Sequence, residues 1–172
     1  MIIDASRRAK RRMDAAQGYL MLDLPDQALR ELGELVAADQ ATYGYHLLRG
    51  EALRAKSDHR AALEAFRKAH AASPDDLGAF MGMAWCFKRI GRVDQSIETM
   101  QLAYESHKEV PVVLYNLACY YSLAGEKEQA LSWLGRALRM DRGFTKLVPK
   151  ETDFDPLRDD PDFLHLLELT TK

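Results

Sequence analysis

Apolar residues recur along the chain at spacings of three and four, and the pattern itself recurs with a longer fixed period. Leu114, Leu117, Ala118 and Tyr121 follow at intervals of three, one and three, and Ala130, Leu134 and Ala137 at four and three. Each set makes one apolar stripe along a helix. Between the stripes stands a polar break, Gly125-Glu126-Lys127-Glu128. Equivalent breaks occur at Asp23-Leu24-Pro25-Asp26, Ser57-Asp58-His59-Arg60 and Gly91-Arg92-Val93-Asp94. These are turn and helix-cap residues. The pattern predicts helices near 9–22, 25–38, 43–56, 59–72, 77–90, 93–106, 111–124 and 127–140, joined two by two through tight turns.

Shifted by 34, the sequence falls onto itself without a gap. Ala16, Gly50, Ala84 and Ala118 make one ladder of small residues, and Ala28, Ala62, Ser96 and Ala130 another. Ala69, Ala103 and Ala137 form a third, broken only by Leu35. Tyr19, Leu53, Phe87 and Tyr121 are all large, as are Leu32, Phe66, Met100 and Leu134. A fixed period of this length marks a repeat architecture. Small residues let the two helices of a pair approach, and large ones fill the space to the next pair. One pair cannot bury its stripe alone, so the pairs must stack.

The period and pattern resemble the tetratricopeptide repeat family, whose signature runs W-x2-L-G-x2-Y, then A-x3-F, a further small residue and a late proline. Leu114, Leu117, Ala118, Tyr121, Ala130, Leu134 and Ala137 carry the clearest match. Gly50, Leu53, Ala62, Phe66, Ala69 and Pro74 carry a second, and Phe80, Met83, Ala84, Phe87 and Ala103 a third. Ser96 and Met100 are tolerable departures in size, whereas Arg12 and Leu35 in the first copy and His46 and Arg49 in the second depart more strongly. The resemblance covers about residues 9 to 142. It implies an all-α fold, a right-handed α-solenoid of antiparallel helix pairs, with four pairs in residues 1–142 (about 9–42, 43–76, 77–110 and 111–142).

Residues 143–172 fall outside the register. Gly143 suits a helix end. A loop is expected next, pinned by Phe154 and Leu157, and then a capping helix. Asp160 before Pro161 is a good helix start, and Phe163, Leu166, Leu167 and Leu169 give the helix an apolar stripe. The run DFDPLRDDPDF also resembles the tail that follows repeat arrays in a number of bacterial proteins, which implies a bacterial source. Its acids, Asp153, Asp155, Asp159, Asp160 and Asp162, lack the central glycine and final glutamate of a calcium loop. Capping and solubility account for them better.

Composition narrows the function. The 172 residues are 47% hydrophobic and 29% charged, with a net charge of −2 and a pI near 6.2. That balance argues against a nucleic-acid binder working by bulk positive charge. The one basic run, Arg7-Arg8-Ala9-Lys10-Arg11-Arg12, reads as the solvated face of a helix whose buried side is Ala9, Met13 and Ala16. Two cysteines, Cys86 and Cys119, make no disulfide framework and read as small buried hydrophobes of a reducing compartment. No secretory signal and no 18-residue apolar run is present, so a cytoplasmic location is expected. The sequence carries no GxSxG, GxxxxGK[ST] or HExxH, and His46, His59, His70, His107 and His165 show no ligand spacing. The expectation is a non-enzymatic protein without metal or cofactor.

The resemblance also says where a partner would bind, because the first helix of each pair lines the concave face of such a solenoid. It places Met13, Asp14 and Gln17 there in copy one, and Leu47, Leu48 and Glu51 in copy two. Copy three contributes Gly78, Met81, Gly82, Trp85, Lys88 and Arg89, and copy four Tyr115, Asn116 and Cys119. Met81, Trp85 and Tyr115 would floor an aromatic groove, and Gly78 with Gly82 would open a depression in it. Lys88 and Arg89 would meet an acidic group, and Asn116 stands where many family members hydrogen-bond a peptide backbone. Met13 and Gln17 occupy places where a full carboxylate clamp needs other residues, so binding of chaperone tails is not expected. The expected function is a protein–protein interaction module that holds a peptide segment of a partner protein, with no nucleic acid and no membrane. The alternatives are a self-assembling homo-oligomer, docked through its poorly matched first repeat, and a small chaperone for secreted substrates.

Overall fold

The structure is a computed structural model that describes residues 2–171, with side chains from residue 6 to residue 170. The described residues contain helices and turns and no strand. They divide into two compact units, Met1–Ile90 and Gly91–Lys172.

The first unit holds α1 (Ile2–Met21), α2 (Pro25–Gly33), the single turn α3 (Ala37–Gln40), α4 (Tyr43–Ala55), α5 (His59–Ala72) and α6 (Leu77–Arg89). Neighbours in sequence pack together, α1 on α2, α4 on α5 and α5 on α6. The helices start where side chains can accept their free N–H groups. Thr42, Asp58 and Asp76 accept from the amides of Tyr45, Ala61 and Ala79 at 3.3, 3.1 and 3.0 Å. Pro25 opens α2 with its ring at the first helical position.

Inside the unit, the small ladder positions are buried. Ala16, Ala28, Ala62, Ala69 and Ala84 are wholly covered, and Leu32, Leu35, Phe66 and Phe80 are buried with them. Arg12, placed where the pattern calls for an apolar residue, instead crosses to α2 and pairs with Glu31 at 2.8 Å and Glu34 at 3.7 Å. The exposed cations Arg7, Lys10 and Arg11 lie outward, while Ala9, Met13 and Ala16 pack inward.

Three expectations need correction here, the first being that α1, expected from about residue 9, begins at Ile2. Helix α2 was expected to run to residue 38 but stops at Gly33. Glycine is a poor helix former, and the next large residue, Leu35, turns into the core, 6% exposed. Its carbonyl accepts from Gln40 Nε2 at 2.7 Å, which folds the chain back into α3. The depression expected at Gly82 is filled. A Cβ on Gly82 would lie 2.6 Å from the Phe66 ring, and one on Gly50 2.7 Å from it. These two glycines make the slot that holds this fully buried phenylalanine.

The second unit holds α7 (Val93–Ser106), α8 (Pro111–Leu123), α9 (Lys127–Met140) and α10 (Pro161–Thr171). α7 packs on α8, α8 on α9 and α9 on α10. Met100, Ala103, Leu114, Leu117, Ala118, Ala130, Leu134 and Ala137 are fully buried. The loop expected over 143–160 is instead a run of 3-10 turns, Arg142–Lys146, Val148–Lys150 and Thr152–Leu157, and the last of them packs on α8. Arg158 sews the run together, donating to the carbonyls of Val148 at 2.9 Å and Glu151 at 2.6 Å. Asp160 caps α10 by accepting from the amides of Asp162 and Phe163, and its other oxygen meets Lys127 at 2.7 Å. The tail acids therefore serve capping and pairing.

One backbone feature repeats in both units. Asp23, Ser57, Gly91 and Gly125, which hold the same place in successive repeats, all have φ between 56° and 78°. Asp58 N–H donates to Leu53 at 3.0 Å, and Glu126 N–H to Tyr121 at 2.9 Å. Ser57 and Gly125 N–H donate to Arg54 and Ser122 at 2.9 and 3.1 Å. Such paired bonds close a helix through one left-handed residue. Among the described residues no helix is long and apolar enough to cross a membrane.

Candidate functional site: a groove in the first unit and a covered face in the second

α1 and α4 expose neighbouring polar–apolar faces in the first unit. Gln17, Leu20, Met21, Leu47, Leu48, Glu51 and Arg54 line a cavity of about 490 Å³ there, with Asp23 and Ala55 at its margin. On α4, Leu47 and Leu48 lie three or four residues before Glu51, and Arg54 and Ala55 three or four after it, so they share one side of the helix. Four of the lining residues, Gln17, Leu47, Leu48 and Glu51, are among those assigned inward from the sequence. Arg54, Leu20 and Met21 were missed. Arg54 continues the same stripe, one turn beyond Glu51, and the spacing could have shown it.

Arg54 links this cavity to Trp85. Its Nε donates to Glu51 at 3.0 Å, and its guanidinium carbon lies 5.2 Å from the Trp85 ring centre. Arg89 lies 5.5 Å from the same ring. His59 meets it edge-on, with centroids 5.2 Å apart. A cation over an indole face contributes on the order of 0.5–1 kcal/mol at an exposed site, so Trp85 is a half-exposed ring held by two guanidinium groups. Arg89, expected to meet an acidic group, lies over the Trp85 ring instead. Met81 and Lys88, on the same helix, are half-buried.

Tyr115, Asn116 and Cys119 lie on α8 in the second unit, in different surroundings. Tyr115 is 5% exposed and Cys119 2%, while Asn116 is half-buried. Phe144 stacks on the Tyr115 ring at 4.6 Å and 15°, and Phe154 meets it edge-on at 5.7 Å. Phe154 in turn packs on Phe163. The chain's own tail covers this face of α8. Burial, followed by the negative groups of Cys119, Glu151 and Asp153, holds the Tyr115 phenol well above its usual range. Its hydroxyl is buried without a hydrogen-bond partner among the described residues.

Burial likewise pushes the Cys86 thiol up to about 11, which leaves it a poor nucleophile at neutral pH. Among the described residues no group of three His, Cys, Asp or Glu side chains is placed to hold a metal ion.

Two tetratricopeptide repeat profiles match the sequence, over residues 53–109 and 112–144, together more than half of the chain. No curated protein sequence matches it. Among solved structures, PilF of Pseudomonas aeruginosa is similar at 16% identity and a TM-score of 0.79, over 97% of this chain and 75% of that one. MamA of Desulfovibrio magneticus RS-1 is similar at 18% identity and a TM-score of 0.72, over 95% of this chain and 96% of that one. YrrB, described as a TPR protein with an unusual peptide-binding site, is similar at 15% identity and a TM-score of 0.73, over 98% and 88%. At these identities the likeness is one of fold, a helical-repeat solenoid.

Proposed function

Because the chain belongs to the tetratricopeptide repeat family, a family of interaction modules, we propose that it is a protein–protein interaction scaffold that holds an extended peptide segment of a partner in the groove of its first unit. The observation that supports this is the cavity between Gln17, Leu20, Leu47 and Leu48, joined through Arg54 to the Trp85 ring. Leucine and methionine side chains offer an apolar seat. Glu51, Gln17 and Asp23 offer polar groups at its edge. Trp85 is rigid and amphipathic, as binding anchors are. Met81, Lys88 and Arg89 extend the surface along α6. Tyr115 and Cys119 serve to seat the tail in this reading, which leaves the first unit as the open face. YrrB supplies a precedent for a peptide site on this fold.

The test is peptide selection from a random library displayed on phage, followed by calorimetry on the selected peptides. Trp85→Ala and Leu48→Asp are made separately, and each is checked for native helicity. Truncation of an aromatic anchor removes about 2 kcal/mol, so Trp85→Ala should weaken binding on the order of tenfold or more. Selected peptides that bind wild type and both variants equally would show that the groove is not the site.

One observation favours self-association as a second reading. Met21, Leu22, Leu24 and Val36, at the end of α1 and in the segments that follow α1 and α2, are exposed, Met21 by 82% and Leu22 by 70%. A molar mass by light scattering that stays at one chain across concentration would remove it.

A further inference from the structure

The shortening of α2 has a chemical consequence. Beside the α3 turn that follows it, the structure has a cavity of about 520 Å³. It is lined by Ala37, Gln40 and Ala41 from the α3 turn, Tyr45, His46 and Arg49 from α4, and Lys68 from α5. His46 and Arg49 stand where the next two copies carry Phe80 with Met83 and Leu114 with Leu117. In those copies the positions are buried. Here they are polar, half-buried and turned to the cavity.

The lining contains no carboxylate. Neither Arg49 nor Lys68 is paired with an acid among the described residues, although Arg12, Arg54, Lys56, Arg67, Lys127 and Arg158 all are. His46 keeps a buried Nδ1 with no hydrogen-bond partner among the described residues. Tyr45 packs edge-on against its ring at 5.2 Å. Burial first, and then the charges of Lys68 and Arg49, hold the imidazole below its ordinary value. The lining itself therefore supplies two cations and no negative charge.

We infer that this cavity, lined by His46, Arg49 and Lys68, is a binding site for a phosphoryl group, either free phosphate or a small phosphate monoester. A guanidinium fork can grip two oxygens at once, and a lysine adds a point charge. An imidazole donor suits a third oxygen, which a tetrahedral anion has and a carboxylate lacks. The site shares no lining residue with the peptide groove, so it stands or falls separately from it.

The experiment follows the His46 ring protons by NMR at constant ionic strength during titration with inorganic phosphate, with O-phosphoserine and with chloride. Arg49→Gln and Lys68→Met are measured alongside, each checked for native helicity. The expected result is a saturable His46 shift with phosphate, half complete near ~1 mM, and a rise in the His46 titration midpoint, because a bound anion offsets the Arg49 and Lys68 charges. Each variant should weaken the response about tenfold. Saturation with O-phosphoserine as well would identify a monoester site, and saturation with phosphate alone a free-anion site. A response that is linear, equal for chloride, or unchanged in both variants would mean ordinary screening and would overturn the inference.

Discussion

Replacing Ser57 by glycine should stabilise the first unit, and replacing Gly125 by serine should destabilise the second by a similar amount. Both residues occupy the same repeat position, and both have the left-handed backbone that ends the first helix of a pair, with φ of 61° and 78°. A side chain in that region costs about 1–2 kcal/mol through contact of Cβ with the following carbonyl. Glycine avoids this but has a more flexible unfolded chain, which returns about 0.4–1 kcal/mol. The net gain for Ser57→Gly is about 0.5–1 kcal/mol, or ~1–4 °C in melting temperature for a chain of this size. No other term intrudes, because Ser57 is exposed and a Cβ on Gly125 would meet nothing within 4 Å. Ser57→Ala keeps the Cβ and should show no such gain. The assay is urea denaturation followed by circular dichroism, with hydrogen exchange of Asp58 and Glu126 amides to assign each change to its turn. If Ser57→Gly is destabilising while Gly125→Ser is neutral, the equivalence of the two turns is wrong.

Two further predictions concern the cores. Gly82→Ala should destabilise by about 1–3 kcal/mol, because the fully buried Phe66 ring already lies against both Gly82 and Gly50 and has little room to shift; Phe66→Leu should recover part of that loss in a double-mutant cycle by denaturant melting. Tyr115→Phe should stabilise by about 1 kcal/mol, since it removes a buried hydroxyl with no partner among the described residues while keeping the ring contacts with Phe144 and Phe154; a loss of stability on denaturant melting would mean that the hydroxyl is bonded in solution.

The helices were legible because their signals are local. A stripe at spacings of three and four needs only the residues that carry it, and from α4 to α9 the helices lie within a residue of the spans that periodicity predicts. The position of Phe66 was not legible, although the residue itself was picked out. A gap between two glycines in different repeats, Gly50 and Gly82, looks in sequence like one small-ladder residue and one groove residue. The two glycines take a common role only when α4 and α6 are both brought against the Cδ1–Cε1 edge of one ring.

The departures from the pattern proved as informative as the matches. Arg12 and Leu35 were legible as misfits, but their effect depends on what each meets. Arg12 finds two glutamates across α2, and Leu35 turns inward after a glycine that has already ended the helix. Beyond the early end of α2, the α3 turn and the half-buried His46 and Arg49 line one cavity. Tyr115 shows the opposite limit. Its place on the first helix of a pair points to a groove, yet Phe144 and Phe154 lie in the tail, beyond the last repeat, and no periodicity reports on them. A repeat rule specifies which face a residue takes and is silent on what else in the chain reaches that face. For this chain the covering segment carries its own ties, Arg158 to two carbonyls and Lys127 to Asp160. The tail is therefore a built part of the second unit, so the first-helix face of α8 is closed, whereas the faces of α1 and α4 line a cavity.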